Sequence, residues 1–479
     1  MSKKVADRGK IILINLMAAG MIFFSSKVMI AEQAQETETS NETRKLPLRE
    51  FIDLSVSNDT EFERILVDEL FLQYEKDLKL PAGDLVLEVK GQYDLILGQE
   101  RKEAEGGVSL AKLFPFAGTT LDAEYTTTPA YSSTDNVSEF TFEVSQPIAE
   151  NAFGKATRLK DKIIGVEIDV ARHQIIEAYE DYLAAIIVGY YDWYEAYENL
   201  KVGRSSYQQN MKLLDNMMER QKSNIALPLD VNKAHLQVLA KKEKLIELKE
   251  AYAKALNFIE KAIRYEGNAE LGPQKPDLYG ESHVNFEEDY AGFKERSRTY
   301  KVLTLLEEKS RLEVDEEADD LLPSINLLLG YNVKGKDFKI ENEDNMVYAG
   351  VSMAWPFGDQ VGKAEHETSK ISLEKTKLSN VGARFQLYTD IKDLSVQINS
   401  QQELLNIAKE KIGLAESILE DETENYSFGK ITLNDYIDAV NVSDNNRFNE
   451  ILHGARYKKF LIEWLRITDR LISKNDIYK

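Results

Sequence analysis

The chain has 479 residues, no cysteine and a formal net charge of −22. This length is sufficient for two or three domains. The charge excludes nucleic acid as a partner, because phosphate binding needs clustered Lys and Arg. The absence of cysteine excludes disulfides and thiolate metal sites.

The N-terminus has the pattern of a secretory signal. Four basic residues precede an apolar run from Ile11 to Phe24, which is shorter than a comfortable helical span of the bilayer. We predict a signal peptide at residues 1–31 and a polar, acidic, disordered leader at 32–45. An uncleaved N-terminal membrane anchor is the alternative.

Two segments of the first half alternate between apolar and polar residues, which indicates strands at about 84–97 and 137–146. A helical pattern precedes the first strand and ends at Leu80-Pro81. The length and alternation are typical of a membrane-barrel strand with one face toward lipid and one toward a wet lumen. A half-buried strand of a soluble sheet has the same pattern and is the alternative.

The order of elements then repeats, which indicates an internal duplication. Each half has a helix, a Leu-Pro step, a strand pair closed by proline, and a long helical hairpin. The strands of the second half are predicted at about 324–333 and 345–355. The predicted divisions are a first repeat at 46–266 with its hairpin at 150–266, a linker at 267–285, and a second repeat at 286–479 with its hairpin at 359–473.

The first repeat carries an insertion near 98–136, with a possible strand at Thr119–Thr127. Both long helices must leave the sheet on the same side. The insertion is therefore predicted to add either no strand or two strands.

Two short helices stacked end to end have about the length of one long helix. This match is expected if the stacked pairs stand beside the long helices in the wall of a single cylinder. The pairing that we predict joins the last helix to the N-terminal helix, and the outgoing helix of the first hairpin to the helix at 286–320. Four strands from one chain cannot close a barrel, since the smallest membrane barrels have about eight. Several copies must therefore assemble, and three would give about twelve strands.

One helix reversal occurs twice, at Tyr426–Ala439 and at Asn224–Ala234. Gly429 and Asn224 occupy matching positions, and both residue types suit a left-handed turn. Thr432 is predicted to cap the outgoing helix, with Asp435 in its first turn. Each copy alone is compatible with an ordinary helical hairpin.

Together these features resemble the TolC-type outer-membrane efflux channels over essentially the whole mature length. The resemblance rests on L-P-L-R-E-F-I-D-L-S-V-S-N-D near the start, both Leu-Pro steps, Gln146-Pro147, W-P-F-G-D at Trp355–Asp359, and both tips. It implies an α+β membrane protein without cofactor, forming a homotrimer. It further implies a twelve-stranded outer-membrane barrel continuous with a periplasmic helical barrel. The family is the exit duct of tripartite efflux or type I secretion systems, docked to a periplasmic adaptor and an inner-membrane transporter.

The resemblance also implies a gate at the periplasmic tip. Gly429, Asp435 and Asp438 match the tip pattern of the family, in which the two acids form rings at the aperture. Tyr426 and Asp230 match positions that help to lock the closed state.

Two residues depart from the family pattern. Ile431 stands where the family's lock has arginine, which leaves Lys430 as a substitute, and Pro228 in the first tip is atypical. In a trimer, stacked acid rings would bind cations and raise some carboxyl pKa values. The alternative is that both acids are ordinary first-turn aspartates.

A second reading is a periplasmic coiled-coil scaffold or adaptor without a membrane barrel. Adaptors of that kind carry one hairpin flanked by β domains, whereas this chain has two hairpins and paired strands. No catalytic or metal motif is predicted, and the sequence does not identify the cargo. The histidines are scattered without ligand spacing: His173, His235, His283, His366 and His453.

Overall fold

The computed structural model describes residues 44–96, 101–128, 137–278, 284–336 and 338–472. The predicted signal peptide and most of the predicted leader lie outside the described residues. The helices are α1 (Leu48–Asn58), α2 (Thr60–Phe71), α3 (Glu75–Lys79), α4 (Lys155–Lys222), α5 (Pro228–Ile263), α6 (Phe286–Arg296), α7 (Arg298–Asp320), α8 (Gln360–Ser427) and α9 (Leu433–Ile467). The strands are β1 (Arg44–Leu46), β2 (Leu85–Ile96), β3 (Arg101–Phe114), β4 (Thr119–Thr127), β5 (Ser138–Pro147), β6 (Leu271–Pro273), β7 (Ser324–Lys336) and β8 (Lys339–Ala354).

The described residues form one antiparallel six-stranded sheet in the order β2-β3-β4-β5-β7-β8. The prediction of four strands is wrong, because the insertion supplies two more. The parity argument, which allowed none or two, is confirmed. The alternation of β3 escaped notice because Gly106, Gly107 and Lys112 interrupt it.

A small parallel pair, β1 with β6, lies outside this sheet. Its first two residues, Arg44 and Lys45, belong to the segment that the sequence analysis assigned to a disordered leader, so that assignment ends too late. Because Leu46 and Leu271 are both almost fully buried, the pair anchors the start of α1.

The long helices form columns. The helices α7 and α9 both pack between α4 and α8, and the amide of Arg298 at the start of α7 donates to Asp469 just after α9 (2.8 Å). On the other side of α4, the Asn58 amide donates to the carbonyl of Ile263 at the end of α5 (3.4 Å). The helices α2 and α3 continue along α4 from there, with Lys76 Nζ 2.6 Å from Asp161.

The chain therefore has four columns, in the order α5 with α2–α3, then α4, then α9 with α7, then α8. The predicted pairing of the short helices is wrong. The N-terminal helices extend the column of α5, and α7 extends the column of α9, whereas the prediction had these two partners the other way round. Length could not decide between the two, since α5 has 36 residues and α9 has 35. At about 1.5 Å per residue, α4 and α8 each extend about 100 Å.

Where α9 meets α7, Arg298 lies among three carboxylates. Its guanidinium is 3.1 Å from Glu177 and 2.9 Å from Asp469, and it also pairs with Glu180, which is fully buried. The carboxylate oxygens lie within 4.8 Å of one another, as metal ligands would, but the arginine already occupies their centre. One guanidinium charge faces three carboxylates, so the cluster favours a protonated carboxyl group.

The cluster predicts a pH-dependent stability. Burial, followed by the charge of Asp469, raises the pKa of Glu177 to about 7. Because this value is raised above that of the unfolded chain, the stabilisation is complete below about pH 4.5 and is lost as the pH rises through about 7. Thermal unfolding at pH 5 and pH 8 is expected to differ less for Glu177→Gln than for wild type. Equal pH dependence of the two proteins would contradict the assignment.

The groups that face Glu177 come from three elements. Glu180 shares its helix, Arg298 begins α7, and Asp469 follows α9. Burial, together with Lys301 and Arg298, lowers the pKa of His173. His173 is present in both proteins, so the comparison of the two proteins isolates the carboxyl group.

The turn between β3 and β4 is fixed against the start of α4. The Arg158 guanidinium donates to the carbonyl of Phe116 (2.8 Å), and the Gln146 amide donates to that of Ala117 (2.9 Å). Gly154 packs here with φ +78°, and an added Cβ would overlap the Phe116 carbonyl. The inserted hairpin is therefore part of the junction between sheet and helices.

Gly154→Ala is expected to destabilise the protein by at least about 2 kcal/mol, from left-handed strain plus the overlap with backbone. Gly165→Ala is the control, since that glycine lies inside α4 with nothing within 4 Å of an added Cβ. The control is expected to gain about 0.5–1 kcal/mol. Thermal unfolding in detergent measures both, and equal midpoints for the two variants would refute the packing.

Candidate functional site

The two tips have the left-handed turns that the sequence predicts. Asn224 has φ 56° between α4 and α5, and Gly429 has φ 72° between α8 and α9. In both turns the amide one residue further on donates to a carbonyl of the preceding helix: Ile225 to Arg220 (2.8 Å) and Lys430 to Asn425 (2.9 Å). The two reversals are therefore built alike.

Asp435 caps its own helix. Its carboxylate accepts from the hydroxyl (2.7 Å) and the amide (3.0 Å) of Thr432, whose hydroxyl in turn accepts from the Asp435 amide (3.3 Å). These hydrogen bonds, the hydroxyl first, lower the pKa of Asp435 in the single chain. Asp438 lies one turn further along and is exposed. Of the two acids, Asp438 is the one whose carboxylate is not engaged in the cap.

The first tip uses the same device. The Asp230 carboxylate accepts from the amide of Leu227 (3.3 Å). Pro228 is the first residue of α5, where an amide hydrogen has no helical partner and proline is favoured. The proline that departs from the family pattern is therefore a good helix start.

Tyr426 joins the two tips of the same chain. Its ring stacks on Tyr436 (4.9 Å between centroids), and its hydroxyl donates to the sulfur of Met217 in α4 (3.2 Å). Burial raises the pKa of Tyr426, and the charge of Asp230 acts in the same direction. The charge of Asp230 therefore lies within electrostatic range of the Tyr426 hydroxyl.

Arg220 is the tip residue that the sequence analysis missed. Its guanidinium lies over the Tyr426 ring, 5.3 Å from the centroid, in the range of a cation–π contact. The comparison with the family pattern pointed to position 431, where the chain has isoleucine. The available signal was an arginine in the last turn of α4, just before the first tip.

The opposite end of the chain presents a two-faced sheet. A row of cross-strand partners on one face is apolar, and all of its members except Ala123 are exposed. The row on the other face is polar over its first five strands. The apolar row is Leu87, Leu110, Ala123, Phe142, Tyr331 and Val347. The polar row is Glu88, Ser109, Glu124, Thr141 and Asn332.

Exposed aromatic side chains collect where the sheet meets the helices. Phe357 is 95% exposed, and its ring lies 5.9 Å from that of Trp355. Phe116 and Phe153 are also exposed at this junction. Aromatic rings at this level are typical of the boundary between membrane and water. Among the described residues, no helix combines the length and the apolar composition that crossing a bilayer requires.

No protein-family model matches the chain, and no curated protein matches it in sequence. Three similar solved structures are outer-membrane proteins, two of them channels. The CmeC channel of Campylobacter jejuni is 12% identical, with 94% of this chain and 95% of that chain covered and a TM-score of 0.68. The MtrE channel of Neisseria gonorrhoeae is 13% identical, with 94% and 97% covered and a TM-score of 0.67. The VceC protein of Vibrio cholerae is 12% identical, with 88% and 95% covered and a TM-score of 0.66. The chain has the fold of the TolC-type outer-membrane efflux channels.

Proposed function

We propose that the protein is the outer-membrane exit duct of a tripartite efflux or type I secretion system. It is a passive homotrimeric channel that is gated at its periplasmic tip. The observation that carries the proposal is the continuous exposed apolar face of the sheet, attached to helices about 100 Å long. Such a face is stable against lipid, whereas helices of this polarity stand in water.

Exposed apolar side chains on the helices support assembly into a ring. Among the described residues they concentrate on the two outer columns, whereas α4 exposes only Met218, α9 only Val442 and α7 none of its large hydrophobics. Each outer column therefore fits against a second copy. The exposed set is Leu66, Val67, Leu70 and Phe71 of α2; Leu78 of α3; Leu229, Leu236, Leu239, Ile246 and Phe258 of α5; and Val361, Ile371, Leu378, Val381, Phe385, Val396, Leu404, Ile407, Leu414 and Ile418 of α8.

Six tips would then surround one axis, with Asp438 exposed near the aperture and Tyr426 holding each pair of tips together. Arg220 takes the place of the family's lock arginine over the Tyr426 ring. The tips also expose Ile225, Leu227 and Phe428, which suit docking of a periplasmic adaptor. The adaptor would connect the duct to an inner-membrane transporter.

Fractionation and reconstitution test the proposal. Detergent extracts of the outer membrane are expected to contain a heat-modifiable species of trimer mass that conducts ions in planar bilayers. Recovery of the protein in the soluble periplasmic fraction, without conductance, would overturn the duct in favour of the scaffold.

The tip acids give a separate prediction. Asp435→Asn combined with Asp438→Asn is expected to raise closed-state conductance and to weaken block by divalent cations, because carboxylate rings bind cations. Asp438→Asn alone is the cleaner variant, since Asp435 also caps α9. Glu403→Gln, an exposed acid of α8 away from the tip, is the control. Unchanged conductance and block in the double variant would refute the acid gate.

A further inference from the structure

Both outer strands of the six-stranded sheet are available for pairing between copies. Within the described residues β2 pairs only with β3, and β8 pairs only with β7. A sheet edge exposed to lipid leaves backbone groups unpaired, which costs several kcal/mol per group. Each edge therefore requires another strand.

The two edges fit one another. The sheet is an antiparallel meander of even strand number, so β2 and β8 run in opposite directions. The β8 strand of one copy can pair antiparallel with the β2 strand of the next, and repetition closes a ring. The helical columns α8 and α5 meet at the same seam, since they are the outer columns on the corresponding sides.

The inserted strands, β3 and β4, are part of the sheet that would form this ring. Val108 of β3 and Tyr125 of β4 continue the apolar face from Val89 of β2. The β3–β4 turn is bonded to the start of α4 through Phe116 and Ala117. Because β3 and β4 lie between β2 and β5, they cannot leave the sheet without detaching β2.

We infer that three copies close a wall of eighteen strands, six from each, and not the twelve that the family resemblance implies. The inference rests on the proposed trimeric duct. At a strand spacing of about 4.8 Å and a tilt of about 40°, eighteen strands have a circumference of about 110 Å and twelve only about 75 Å. Twelve helical columns at about 8–10 Å need about 95–120 Å. Eighteen strands thus keep the duct at one width from the helical tube into the membrane.

Engineered cysteines test the seam, because the natural chain has none. Val89→Cys on β2 is combined in turn with Val347→Cys, Ala349→Cys, Val351→Cys or Met353→Cys on β8, all on the apolar face. Within one chain these strands are separated by four others, beyond the reach of a disulfide. Oxidation of the assembled protein is expected to give a covalent trimer for at least one pair.

Tyr125→Cys on β4 with the same β8 partners is the matched control. In an eighteen-stranded wall β4 is interior, so its cross-linking is expected to be at least tenfold weaker than that of β2. Cross-linking from β4, or none from β2, in a protein of trimer mass would overturn the inference and leave the duct intact. A disulfide between Val89→Cys and Phe140→Cys on β5 would also overturn it, because these positions meet only in a twelve-stranded wall that lacks β3 and β4. A protein that is neither trimeric nor in the outer membrane would overturn the proposed function and the inference with it.

Discussion

Val108→Arg is expected to abolish assembly of the protein in the outer membrane. Val108 lies on the apolar face of β3, 41% exposed, with Val89 and Tyr125 as its cross-strand partners. In the proposed duct this face meets lipid, where an arginine near the midplane costs about 2–4 kcal/mol, and three copies repeat that cost. The amount of trimer in outer-membrane extracts measures the effect.

Ser109→Arg is the matched control, one residue along the same strand on the polar face. Its cross-strand neighbours are Glu88 and Glu124, so the new charge meets two acids. We expect normal trimer levels for this variant. Equal tolerance of both substitutions would mean that the face of Val108 does not meet lipid, and equal failure would point to a general defect of β3.

Arg298→Met is expected to destabilise the protein by about 3–5 kcal/mol, because removing one partner leaves buried charges uncompensated. The arginine pairs with Glu177, Glu180 and Asp469, and the Glu180 carboxylate has no exposure to solvent. Denaturant or thermal unfolding of the purified protein measures the loss. Part of it should be recovered at low pH, where the acids lose their charge.

Arg447→Met serves as the control for Arg298→Met. Arg447 pairs with Glu416 at 3.0 Å, but the two side chains are 33% and 50% exposed. Exposed pairs contribute about 0–1 kcal/mol. A loss in Arg298→Met no greater than that of the control would show that the three acids are neutralised without the arginine.

Local patterns predicted the parts of this fold that depend on neighbouring residues. The left-handed turns at Asn224 and Gly429 follow from residue type, and the capping of α9 by Thr432 follows from a motif of four residues. The strand count failed at β3, where Gly106 and Lys112 fall on the apolar face and break the alternation.

The sequence patterns could not predict the contacts between segments that lie far apart in the chain. The stacking of α9 on α7 depends on Asp469 meeting Arg298, and helix lengths allow the opposite pairing equally well. The position of Arg220 over Tyr426 likewise requires both tips to be placed side by side. A motif comparison looks for the lock arginine at one position, whereas the fold places an arginine over Tyr426 from the other tip.

The contact between α9 and α7 also orders events during synthesis. Arg298 and Asp469 are 171 residues apart, with the whole second hairpin between them. The start of α7 therefore receives its amide acceptor only after both helices of the second hairpin have been made. A chain released early has two acids beside Arg298 but neither α9 nor the acceptor of α7, so its second hairpin cannot form. Capping of α7 is thus coupled to synthesis of the second hairpin.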